Sequence, residues 1–113
     1  MVQITLPNSE ILEAELADNY FKRNEGLSGC KDKKCMLFTM PFSAKWPFWM
    51  PAMHYAIKII YLNKEKEIVD IKEATPLTKH PKTWKIYKPK KACKYALETP
   101  FEHNIKIGDK LNF

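Results

Sequence analysis

Glycine is scarce in this chain of 113 residues: Gly26, Gly29 and Gly108 are the only three. Without more of them no phosphate-cradling glycine loop can be assembled, and neither Ser28 nor Ser43 has the context of a nucleophile elbow. Arginine is scarcer still, because Arg23 is the only one among 19 basic residues. Uninterrupted apolar sequence is short as well. The richest stretch, WPFWMPAMHYAIKIIYL, is broken by Pro47, Pro51, His54 and Lys58, whereas a membrane helix needs about twenty apolar residues. No transmembrane segment is expected. The opening MVQITLPNSE has neither a basic start nor an apolar core, so it does not read as a signal peptide, and a cytoplasmic location is the default.

What the chain does contain is lysine, aromatic residues and short apolar runs. Its length suits one domain, residues 1–113, which can bury roughly two-thirds of the unfolded chain's surface in an ordinary core. The lysine- and glutamate-rich composition is thermophile-like, and the net charge of +6 attracts phosphates and anionic surfaces without naming a partner. Cys30, Cys35 and Cys93 make an odd set and read as free buried thiols. A Cys30–Cys35 disulfide is the alternative, since thermophile cytoplasm departs from the usual redox rule. Zinc would require a fourth ligand and a tighter pair, so neither a metal nor a cofactor is expected.

Alternation of apolar and polar residues marks strands. Residues 2–6 and 11–17 form a natural hairpin, with Leu12, Ala14 and Leu16 on one face and Glu13 and Glu15 opposite. Asp18 as N-cap and Gly26 as C′ residue frame a helix of about two turns. CMLFTM reads as a short strand and PFSAKWP as a proline-bounded connector. HYAIKIIYL and EIVDIKEAT pair across the turn NKEK, with Ile68, Asp70 and Lys72 expected on one face and Val69, Ile71 and Glu73 on the other. KYALE is a further strand, PFEHNI a helical turn, and KIGDKLNF a Gly-Asp turn into a closing strand. The fold class is mainly β, an antiparallel sandwich or barrel with one or two short helices.

Three groups of residues could carry chemistry. Between Glu73 and Glu98 there is no acid, and Lys82, Lys85, Lys88, Lys91 and Lys94 recur at every third position. Trp84 and Tyr87 keep the same spacing out of phase. A polyproline II segment would gather those lysines on one side, as a strip that tracks phosphates while the aromatics stack on bases. The simpler reading is a crossover whose aromatics pack on the sheet while its lysines stay solvated. Met50, Met53 and His54, with Met36 and Met40 nearby, have ligand types suited to Cu(I). Methionine beside Trp46, Phe48 and Trp49 also fits plain core packing, and nothing fixes a trigonal ligand set. Arg23 is the residue whose planar fork could hold an anion; the competing reading pairs it with Glu98 or Asp109.

The motifs LADNYFKRNEGLSG, MLF, FWMPAMHYAIKIIYL, YALE and IGD, in this order and spacing, resemble the "domain of unknown function 192" family. The matched positions are Arg23, Gly26 and Leu27, Met36 to Phe38, Phe48 to Met50, Leu97 and Glu98, and Gly108 and Asp109, within residues 12–113. Two positions depart from the pattern: Ser28 replaces a methionine, and Lys58 replaces an acid in the long strand. The resemblance implies a compact, mostly β domain with a short helix and brings no established activity.

The expected function is therefore a small non-enzymatic binding domain for an unidentified small ligand or protein partner. Its candidate site comprises Arg23, Trp49, Met50, Met53 and His54. Gly26, Glu98, Gly108 and Asp109 are expected as structural or ion-pair positions. One alternative is single-stranded nucleic-acid binding through residues 79–94, using Lys82, Trp84, Lys85, Tyr87, Lys88 and Lys91. Another is an enzyme in which Glu98, Asp109 or His54 share a cleft. Whether Trp49 is core or pocket is left open by the sequence.

Overall fold

The computed structural model describes residues 2–17, 35–47, 56–74 and 87–113. Six strands form one sheet: β1 (Val2–Thr5), β2 (Ile11–Ala17), β3 (Cys35–Ala44), β4 (Ile57–Leu62), β5 (Ile68–Ala74) and β6 (Cys93–Thr99). Their order is β1-β2-β3-β6-β4-β5. All neighbouring pairs are antiparallel except β2 and β3, which run parallel.

This corrects the expected all-antiparallel sandwich or barrel: among the described residues the sheet is mixed, single and not a closed barrel. No helix occurs among the described residues. The helical turn expected at PFEHNI is instead an irregular bend, while the helix expected between Asp18 and Gly26 lies outside the described residues. The connector expected at PFSAKWP is also revised, because β3 continues through Pro41 to Ala44. Proline gives no N–H to a ladder, and it is accommodated where the β3–β6 register shifts between Thr39 and Ala44.

Both faces of the sheet are apolar. On one, Met36, Phe38, Met40, Ile57, Ile59, Tyr61 and Ala96 are buried, with Trp46 and Tyr87 packed against them. On the other, Ile4, Leu12, Ala14, Leu37, Ile60, Leu62 and Leu97 are buried with Leu111. We call these the Glu98 face and the Thr99 face, after adjacent residues of β6. The alternation expected for β2 holds, with Leu12 and Ala14 buried on the Thr99 face and Leu16 packed beside them.

The β4–β5 hairpin forms as expected, but its faces do not. A register shift between Tyr61 and Leu62 puts Ile68 opposite Leu62 and Asp70 opposite Tyr61. Ile68 and Ile71 consequently share the Thr99 face, while Val69 packs on the other. One additional residue on a strand reverses the facing of everything beyond it.

Residues after β6 pack over part of the Thr99 face. Thr5 and Asn112 exchange backbone bonds of 2.8 and 3.0 Å, Leu111 N donates to Lys66 O (3.0 Å) and Gly108 N to Ile68 O (2.8 Å). The tail thus ties the β1 edge to the start of β5 and lays Ile105, Leu111 and Phe113 over the core. Gly108 has φ +98°, a left-handed conformation that glycine adopts without Cβ strain. Asp109 Oδ2 accepts a bond from Lys106 N at 2.9 Å across the same turn. The Gly-Asp motif is thus a hook that anchors the tail.

Candidate functional site

β6 is central in the sheet, with β3 on one side and β4 on the other. Glu98 stands opposite Met36 on β3 and Ile59 on β4. Paired residues of neighbouring strands point to the same side, so its carboxyl lies between a thioether and an isoleucine. Glu98 is 4% exposed, and among the described residues no cation pairs with it. Burial alone pushes its pKa up to about 8, because an apolar surrounding disfavours the charged form. This group can be a hydrogen-bond donor near neutral pH, which an exposed carboxylate cannot.

Asp70 is the other buried acid of this face, and its role is structural. Its Oδ1 accepts from Ile71 N at 2.9 Å and its Oδ2 from Lys90 N at 3.0 Å, with Lys72 Nζ at 3.6 Å. Tyr61 is fully buried, and its hydroxyl donates to Tyr87 O at 3.1 Å. Burial, with smaller contributions from Cys93, Asp70, Glu98 and Tyr87, raises its pKa, so it remains a neutral donor. Asp70 and Tyr61 together pin residues 87–90 to the sheet. The described end of the lysine strip accordingly has Tyr87 half-buried against the core, with Lys88 and Lys91 exposed. Lys82, Trp84 and Lys85 lie outside the described residues.

On the opposite face is a polar chain that sequence reasoning missed. Cys35 Sγ donates to Thr99 Oγ1 at 3.3 Å, and Phe101 N donates to the same oxygen at 3.1 Å. With both lone pairs occupied, the Thr99 hydroxyl proton is directed to His103 Nε2, 3.0 Å away. This assigns the neutral imidazole as the Nδ1–H tautomer. Nδ1 is the one buried side-chain polar atom without a hydrogen bond among the described residues. The nearest acid, Glu10 Oε1, is 3.7 Å away, too far for a hydrogen bond.

The local half of this arrangement leaves a trace in TPFEH, where a threonine hydroxyl can cap the turn that follows it. Nothing local indicates Cys35. Its thiol pKa is raised by burial, partly offset by the Thr99 bond, and burial likewise raises that of Cys93. Both are free thiols in this structure, as the composition suggested, and the disulfide alternative for Cys35 is not formed; Cys30 lies outside the described residues.

The remaining candidates divide as follows. Arg23, Gly26, Trp49, Met50, Met53 and His54 lie outside the described residues. Glu98 and Asp109 are not brought together: one is buried on the Glu98 face, and the other belongs to the tail that packs on the Thr99 face. A shared cleft for these two acids is therefore not formed. Among the described residues no cluster of three or more His, Cys, Asp or Glu side chains could hold a metal, and no helix is long and apolar enough to cross a membrane.

Comparison with known proteins gives a consistent picture. Residues 2–113 match the family described as "Uncharacterized ACR, COG1430", the domain of unknown function 192. A UPF0127 protein of Pyrococcus furiosus is 29% identical, over 100% of this chain and 97% of its own length. A UPF0127 protein of Pyrococcus abyssi is 31% identical over 89% of this chain and 86% of its own. The crystal structure of a protein of unknown function from Novosphingobium aromaticivorans superposes with a TM-score of 0.84 at 19% identity, covering 99% of this chain and 84% of that one. The fold is shared, and none of these relatives brings an activity with it.

Proposed function

This chain belongs to the domain of unknown function 192 (UPF0127) family, whose function is not known, and from that premise we propose that it is a non-enzymatic binding domain whose site is the sheet face bearing Glu98. The observation that carries this reading is the Glu98 carboxyl itself. It is buried between Met36 and Ile59, with its pKa raised to about 8 by burial alone. A buried ionisable group of this kind costs stability unless a partner meets it, and strongly perturbed groups concentrate at functional sites. The other parts of this reading are the candidates expected from the sequence: Trp49, Met50 and Met53 for adaptable apolar contact, and Arg23 and His54 for polar groups able to fix an anion.

The test uses 1-anilinonaphthalene-8-sulfonate, a probe with an apolar body and one anionic group. Saturable fluorescence enhancement is expected with the folded protein, weakened by Trp49→Ala and by Arg23→Ala while near-ultraviolet circular dichroism is retained. Enhancement indifferent to both substitutions, or no binding, overturns the site.

The second reading, single-stranded nucleic-acid binding, is supported by the exposure of Lys88 and Lys91 beside the pinned Tyr87. It requires affinity for an oligonucleotide to fall steeply with salt and to weaken when Lys85, Lys88 and Lys91 are replaced. A flat salt response removes it.

A further inference from the structure

The Thr99 face contains a second place for a ligand, separate from the Glu98 face. Lys58, Ile60, Ile71, Phe101, His103 and Ile105 line a shallow pocket that opens to solvent. Ile60 is 1% exposed and Phe101 46% exposed, so the pocket runs from core floor to aromatic rim. The apolar lining is interrupted by two nitrogen-bearing side chains. Lys58 Nζ contacts Glu102 Oε2 at 2.5 Å, and the Glu102 side chain is 84% exposed. A carboxylate from the surface thus already occupies the ammonium, on a side chain that solvent can readily take back. The second is His103, whose side chain is 6% exposed and whose Nδ1 has no hydrogen bond. With Nε2 engaged by Thr99, that Nδ1 carries a proton and no acceptor within hydrogen-bonding distance.

We propose that this pocket binds a small monocarboxylate with a short apolar tail, the carboxylate replacing Glu102 at Lys58 and the tail lying on Ile60, Ile71 and Ile105. The chemistry is selective. The Lys58 ammonium and a spare imidazole N–H both repel a cation or leave it unpaired, whereas the isoleucines favour an aliphatic chain over a compact hydrophilic anion such as phosphate. Glu73, cross-strand from Lys58, is exposed and outside the lining, so it leaves the cationic end available.

Methyl-resolved NMR titration with sodium hexanoate tests the assignment, with hexylamine and hexanol as charge-reversed and neutral controls. Saturable shifts are expected at the isoleucine methyls of residues 60, 71 and 105 with hexanoate and not with hexylamine. Lys58→Met should weaken hexanoate roughly tenfold, the loss of one charge-assisted contact. Glu102→Gln should tighten it by about threefold, because the competing internal carboxylate is gone. A merely structural Lys58–Glu102 pair would not produce that opposite response. Equal shifts from hexanol, tightening absent in Glu102→Gln, or no shifts at these methyls would each overturn the proposal. None of these readouts depends on Trp49, Arg23 or Glu98, so failure here leaves the reading of the other face standing.

Discussion

Glu98 and Thr99 are neighbours on β6, yet they face two differently organised halves of the molecule. Thr99 is fully buried and its hydroxyl is saturated: two donors reach it and its own proton goes to His103. Glu98, one residue earlier, is nearly as buried and has no cation against it among the described residues. The Thr99 face is partly covered by the tail, whose backbone ties both edges of the sheet. The contrast separates two uses of a buried polar group. A hydrogen-bonded hydroxyl fixes structure, and a buried ionisable group without a counter-charge carries a cost of ionisation that binding can offset.

That contrast can be broken from the structural side first. Leu111 is 2% exposed beneath the tail. Leu111→Ala should destabilise by about 3 kcal/mol through lost burial and the remaining cavity, measured by chemical denaturation. It should leave probe binding at the Glu98 face intact wherever the protein is folded. Next comes Thr99→Val, nearly isosteric, which strands the Phe101 N–H, the Cys35 thiol and His103 Nε2 together. A loss of about 2 kcal/mol is expected, along with a change in the imidazole nitrogen shifts as the Nδ1–H tautomer loses its anchor. If Thr99→Val is neutral, the chain is not a structural unit. Glu102→Gln should have the smallest effect, below about 0.5 kcal/mol, because the Glu102 carboxylate is mostly solvated. A larger loss would mean that the Lys58 pair is structural rather than exchangeable.

Much of the sheet was legible from residue alternation, and the exceptions have physical causes. The β1–β2 hairpin and the β4–β5 pairing follow from period-two patterning. The facing of residues 68–71 did not, because a register shift is a tertiary event with no sequence marker at Tyr61 and Leu62. Pro41 read as a terminator because proline ends most strands; here the irregular β3–β6 register absorbs it. The parallel β2–β3 pair and the sheet order depend on contacts distant in sequence, which periodicity does not encode.

The sites divide in the same way. Glu98 and the Gly108–Asp109 hook were visible through family motifs, and the structure separates them into a buried carboxyl and a turn device. Thr99 and His103 are four residues apart and left a weak local trace, whereas Cys35 joins them across 64 residues. Lys58 drew notice as a departure from the family pattern, but its place at a pocket mouth required the β4 register. The candidate group around Trp49 and Arg23 lies outside the described residues, and variant binding is what addresses it.

The most direct test is the pH dependence of folding stability for the wild type and Glu98→Gln. A carboxyl raised from its ordinary 4.5 to about 8 by burial keeps a proton in the folded state that the unfolded state has released. Its contribution is fully present below about pH 4.5, fades as pH rises toward 8 and is flat beyond, at up to about 1.4 kcal/mol per pH unit. The wild type should therefore lose stability relative to Glu98→Gln across that window, leaving the variant equal or more stable at pH 8. The opposite result, a wild type that gains on the variant as pH rises and a Glu98→Gln protein that is weakened at pH 8, would mean an ionised Glu98 held by a cation such as Arg23. That outcome would contradict a carboxyl left for a ligand to meet.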